Sequence, residues 1–89
     1  MVFPVIDRLA TGRNIMVLRR RRGLSVRDVQ EYFGWDAPQG IYNWQRGETL
    51  PSLDNLYALS TLFDVSIKDI LVPTSYTVYS RFHMEETDE

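Results

Sequence analysis

Residues 24–51, LSVRDVQEYFGWDAPQGIYNWQRGETLP, carry two helix-length apolar patterns separated by a turn too short to let them pack independently. Ser25 stands at an N-cap position, and Val26, Val29, Tyr32 and Phe33 follow it at the 3.6-residue period of a helix with one buried face. Gly34 ends that pattern. After WDA comes Pro38, suited to the first position of a helix because it has no N–H to leave unpaired there. Ile41 and Trp44, three apart, mark the inner side of this second helix, and Gly47 stops it. Two short helices joined this closely cross steeply, so one braces while the other presents its outer face.

The rest of the chain supplies a body for that pair. Residues 1–10, MVFPVIDRLA, are apolar and broken by Pro4, which predicts an extended arm. Thr11 reads as the N-cap of a helix over 12–22, with Ile15, Met16 and Leu18 on its apolar stripe and Gly23 beyond its end. Ser52 caps a helix that directs Leu53, Leu56, Leu59, Leu62 and Phe63 inward. Ser66 opens a short fifth helix, with Asp69 as its capping-box partner, and Pro73 ends it. The expected fold is therefore all-α, a compact set of five helices over 11–72, between an arm at 1–10 and a tail at 73–89. In the tail, Tyr76, Val78, Phe82 and Met84 alternate like a strand. A lone strand needs a partner. The candidates are the arm at 2–6, giving a small β element, or a second copy of the tail across a dimer; failing both, the tail is loose.

Composition removes several function classes. At 89 residues there is room for one domain and no separate catalytic one. Cysteine is absent, and the single histidine, His83, has no second ligand type at metal-binding spacing. No nucleophile–base pair and no phosphate-cradling loop is present, so neither an enzyme nor a metal or cofactor is expected. No apolar run nears the roughly 20 residues that span a bilayer, and the amino terminus lacks a signal-peptide pattern. A cytoplasmic protein away from membranes is the expectation.

The net charge of −2 conceals a division. Residues 1–47 hold eight arginines against four acids, a net +4, whereas residues 48–89 hold two bases against eight acids, a net −6. The arginine run at 19–22 could simply be a solvated helix face. Its coincidence with the paired-helix segment points instead to double-stranded DNA as partner. The acidic tail offers a second, protein-directed surface.

Taken in order, these residues resemble the lambda-repressor-like (Cro/XRE-type) helix-turn-helix DNA-binding family. The carrying features are Ile15 and Leu18, RGLS at 22–25, Gly34, IxxWxRG at 41–47 and LPSLDNLYALSTLFDVSIKDIL at 50–71. The resemblance implies that Leu24, Ile41 and Trp44 are core. It also implies that the helix starting near Pro38 enters the major groove while the helix from Ser25 braces across the backbone. Base reading would fall to Gln39, Gly40, Tyr42 and Asn43, and backbone contact to Arg46, Arg27, Arg21, Arg22 and Ser25. Gln39 and Asn43, four apart, share a face, and each amide can bond adenine bidentately; Tyr42 could meet a thymine methyl or the backbone. The implied function is a sequence-specific, repressor-type regulator working as a homodimer. The alternative is the same fold used as a protein-interaction module.

The departures from the family are specific. Pro38 occupies a usually polar position, Val26 a position often held by Gln, and Glu48 a loop that is often basic. The WDA turn is one residue longer than the commonest form. Gln45 replaces a frequent Glu, so its expected pairing with Arg19 is a hydrogen bond instead of a salt bridge.

Overall fold

Helix starts in this chain are set by short side chains that satisfy the first backbone N–H groups. In the computed structural model, which describes residues 2–79 with side chains over 3–74, the elements run β1 (Val2–Ile6), α1 (Arg8–Arg21), α2 (Val26–Phe33), α3 (Gln39–Gln45), α4 (Leu53–Phe63), α5 (Ile67–Ile70) and β2 (Pro73–Tyr79). Ser25 and Asp28 close a reciprocal capping box on α2, the Asp28 N–H donating to Ser25 Oγ at 3.0 Å and the Ser25 N–H to Asp28 Oδ2 at 2.8 Å. Ser66 and Asp69 repeat it on α5 at 3.1 and 3.0 Å, and Ser52 accepts from the Asn55 N–H to open α4. Pro38 is the N-cap of α3 and not its first helical residue, so α3 begins without a side-chain cap. Gly34 ends α2 in the left-handed region, and Asp64 (φ 59°) does the same for α4 with a side chain.

The first helix departs from the sequence expectation. It begins at Arg8, capped by Asp7, whose carboxylate accepts the Ala10 N–H at 3.0 Å. Residues 8–10, expected in the arm, are its first turn. Thr11 is no cap: it is fully buried, and its hydroxyl accepts the Val72 N–H at 2.9 Å. Asp7 wins because its carboxylate reaches the first-turn N–H groups, which frees the Thr11 hydroxyl to bind another part of the chain.

The core comprises Ile15, Leu18, Val29, Ile41, Trp44, Leu56, Leu59, Phe63 and Ile70. Leu24 packs against it half-buried. Two assignments from periodicity fail. Leu53, at the amino-terminal end of α4, is 75% exposed, and Tyr32 is 44% exposed while its hydroxyl donates to the Ala58 carbonyl at 3.0 Å. A residue at a helix's first position can keep the apolar phase without having a neighbouring layer to meet.

Asn14 donates to the carbonyls of Asp69 and Ile70 at 2.8 and 2.9 Å, tying α1 to the end of α5. The Asp7 N–H bonds the Val72 carbonyl at 2.8 Å, so the chain leaves α5 where α1 begins. From there β2 runs antiparallel to β1, with Val2 opposite Tyr79, Pro4 opposite Thr77 and Ile6 opposite Pro73, and a bulge between Pro4 and Ile6. The tail's strand thus pairs with the arm of its own chain, a two-stranded ribbon beside the five helices. Phe82, Met84 and the acidic run lie outside the described residues. Among the described residues no helix is long and apolar enough to cross a membrane.

Candidate nucleic-acid interface

A helix as short as α3 cannot hold its own position; isolated helices of this length are unstable in water. Its seat comes from α1. At Gly12 a Cβ would lie 2.1 Å from the Trp44 carbonyl oxygen and 2.9 Å from that of Gln45, so the two backbones touch where only glycine fits. One turn before, a Cβ on Gly47 would fall 2.8 Å from Leu9 Cα, pinning the end of α3 to the start of α1. Further along, Arg19 is buried against the seam, as expected from its pairing with Gln45. Its Nε donates to Gln45 Oε1 at 3.0 Å and its Nη1 to the Leu24 carbonyl at 2.7 Å. Burial foremost, then the neighbouring Arg20, lowers its pKa, with Tyr42 acting oppositely. An arginine still keeps its charge under such a shift.

The turn fixes the other side. Trp35 stacks on Phe33 with ring centres 4.5 Å apart, and both meet Trp44 edge-on at 5.5 and 5.8 Å. Gln30 clasps the turn by donating to the Trp35 carbonyl at 3.1 Å. Gly40 lies beneath the Trp35 ring, where a Cβ would come within 3.2 Å. Local pattern marks Trp35 only as a turn residue and misses this role. The signal for it is the aromatic density of Tyr32, Phe33 and Trp35 just ahead of a helix with its own tryptophan.

Held this way, α3 presents Gln39, Tyr42, Asn43 and Arg46 outward. Gln39 Nε2 donates to Asn43 Oδ1 at 3.0 Å, and Arg46 Nη2 donates to the same oxygen at 3.0 Å. Arg46 Nε in turn meets Glu48 Oε2 at 3.2 Å. The result is a continuous polar row, amide to amide to guanidinium to carboxylate. Gly40 adds no side chain to it. Of the other expected backbone contacts, Arg27 is paired with Glu31 at 3.3 Å. Ser25 Oγ accepts the Asp28 N–H in the capping box, and its hydroxyl also faces the Asp28 carboxylate. Arg21 and Arg22 are exposed at the end of α1, and among the described residues no hydrogen bond or ion pair joins their side chains to the row on α3. The arrangement can exchange amide hydrogen bonds with a planar edge, and its guanidinia keep N–H groups beyond those facing the carboxylates with which to meet an anion.

The profile of the helix-turn-helix family matches residues 15–70, well over half the chain. Among solved structures, the restriction-modification controller protein C.AhdI from Aeromonas hydrophila is 26% identical, with a TM-score of 0.64 over 72% of this chain and 96% of that one. The S. venezulae BldD DNA-binding domain is 20% identical with a TM-score of 0.61, covering 72% of this chain and 94% of that one. The hypothetical transcription factor NHTF from Neisseria is 17% identical with a TM-score of 0.64, covering 82% and 88%. The last two are likenesses of fold. Among curated proteins none matches.

Proposed function

The chain belongs to the helix-turn-helix family, and from that premise we propose that it is a sequence-specific DNA-binding transcription regulator of repressor type, acting as a homodimer in the cytoplasm. The observation that carries this reading is the polar row of Gln39, Asn43 and Arg46 on the outer face of a helix seated by α1 and the aromatic turn. With α3 in the major groove, Gln39 and Asn43 exchange their mutual bond for bidentate bonds to adenine. Gly40, whose missing side chain makes room for the Trp35 ring, offers the groove its backbone alone, and Tyr42 contacts the neighbouring step. Arg46, Arg27, Arg21, Arg22 and the Ser25 hydroxyl serve phosphates, which fix register without reading sequence.

Glu48 and Glu31 oppose this, because each offsets the charge of the arginine beside it and repels a nearby phosphate. That opposition lowers the affinity of one module and favours two acting together on half-sites about one helical turn apart. The exposed apolar side chains Leu50, Leu53 and Tyr57 offer a surface for the second copy.

Selection from a random duplex library at moderate salt tests the reading. The expected result is an inverted repeat, bound with an affinity that falls steeply with salt. On that operator, Asn43→Ala should leave melting unchanged and reduce discrimination among sequences by roughly 1–3 kcal/mol. Glu48→Gln should tighten binding on every duplex. Folded protein that enriches no duplex would overturn the proposal in favour of a protein-interaction module.

A further inference from the structure

Beside the polar row runs a second stripe. Pro38 and Tyr42 are four apart, each one residue before Gln39 and Asn43, so their stripe lies next to the amide row around α3. Opposite it stands the amino-terminal turn of α2. Between the two helices is an open recess of about 340 Å³ lined by Val26, Pro38 and Tyr42, with Arg27, Gln30 and Glu31 along its α2 wall. Val26 is half-buried against the core and Tyr42 is 41% exposed, so one flank of the recess is fixed and the other reaches solvent. Val26 and Pro38 contribute no side-chain donor or acceptor to it.

The recess has two unlike walls: Arg27, Gln30 and Glu31 can hydrogen-bond, whereas the facet of Val26, Pro38 and the Tyr42 ring can only pack against an apolar group. Base edges in the major groove display acceptors and amino donors, and the C5-methyl of thymine is the one apolar group among them. We propose that Val26, Pro38 and the Tyr42 ring form a subsite for a thymine C5-methyl at the base step adjoining the one met by Gln39 and Asn43. The inference rests on the DNA-reading proposal above. It turns Val26 and Pro38, which look like lost polar contacts, into specificity determinants: they favour T·A where uracil, or unmethylated cytosine, would leave the recess empty. Arg27, at the rim, stands where it can reach the backbone beside that step.

The test uses the unaltered protein and changes only the DNA. In the selected operator each thymine is replaced in turn by deoxyuridine, which removes the methyl and keeps the pairing. One position per half-site should lose affinity about fourfold, the worth of one buried methyl group. At that position a C·G pair should bind more tightly when its cytosine carries a 5-methyl. Val26→Thr, nearly isosteric, and Tyr42→Ala, on a surface ring, should each shrink the uracil penalty, with melting curves confirming that both variants are folded. Sequence-specific binding with no thymine sensitive to uracil would overturn the subsite and leave the DNA reading intact. A uracil penalty undiminished in both variants would locate the methyl elsewhere and also overturn it. Failure to select any duplex would remove the subsite together with the reading beneath it.

Discussion

The two faces of α3 and its C-cap, Arg46, are built from one short run of residues under opposite rules. Inward, Ile41 and Trp44 are almost wholly buried, and the Trp44 carbonyl lies so close to Gly12 that a Cβ there would fall 2.1 Å from it. Outward, Gln39, Tyr42 and Arg46 stay in contact with water, and the polar ones bond to their neighbours through flexible side chains. The inner face determines where the helix is; the outer face determines what it meets. Because each helix position points one way only, substitutions on one face should alter stability and those on the other should alter recognition, with little exchange between them.

The strongest challenge to that separation is Trp44→Ala. Removing a large buried ring should cost about 3–5 kcal/mol. Thermal unfolding followed by circular dichroism should then show a melting point lower by more than about ten degrees, at about 4–8 °C per kcal/mol for a domain of this size. An unchanged melting point would mean that the inner face is not what seats α3.

Gly12→Ala probes the backbone contact without touching α3 itself. The added methyl would collide with the Trp44 carbonyl, and overpacking of this kind costs about 1–3 kcal/mol. Gly34→Ala offers the control: its Cβ meets open space, and only the left-handed backbone at φ +71° opposes it, at about 1 kcal/mol. Urea midpoints should rank Gly12→Ala as the more damaging. The reverse order would place the constraint in the turn.

Gln45→Glu should strengthen the seam. Arg19 would then face a carboxylate, and the charge-assisted bond should add about 1 kcal/mol, read as a rise in melting temperature. A fall would mean that the buried carboxylate's desolvation outweighs the pairing.

The smallest effect concerns the brace. The Asp28 and Asp69 carboxyls are held below the usual carboxylate range, chiefly by the backbone N–H of Ser25 and Ser66 and then by those hydroxyls. The folded state therefore favours their ionised forms. This contribution is fully present above the ordinary carboxylate range and is lost as pH falls through the lower folded values. Asp28→Asn combined with Asp69→Asn should flatten the acid side of the stability profile measured by urea unfolding. An unaltered acid limb would show that neither capping box contributes to it.

Much of the inner face is legible in the order of residues alone. Ser25, Ser52 and Ser66 read as caps because capping depends on a backbone N–H two or three residues away, and Ile41 and Trp44 read as core because helical phase repeats locally. The Arg19–Gln45 bond follows from the family pattern. Thr11, Gly12 and Leu53 give no such local sign of their roles. What each meets, or fails to meet, lies on a different element: Val72 for Thr11, the α3 backbone for Gly12, and no packed layer for Leu53. Trp35 becomes a structural support only because folding brings Phe33 and Trp44 to either side of it.

Sequence by itself determined which segments become helices, where most of them begin and end, and which side of α3 is apolar, since these follow from neighbours within a turn or two. Tertiary structure alone decided that the arm pairs with the tail's strand, that Asn14 of α1 ties to the end of α5, and that Val26 and Pro38 line one recess. Those outcomes depend on how far apart the chain's distant parts come to rest, and that distance is fixed by packing, which no local pattern encodes.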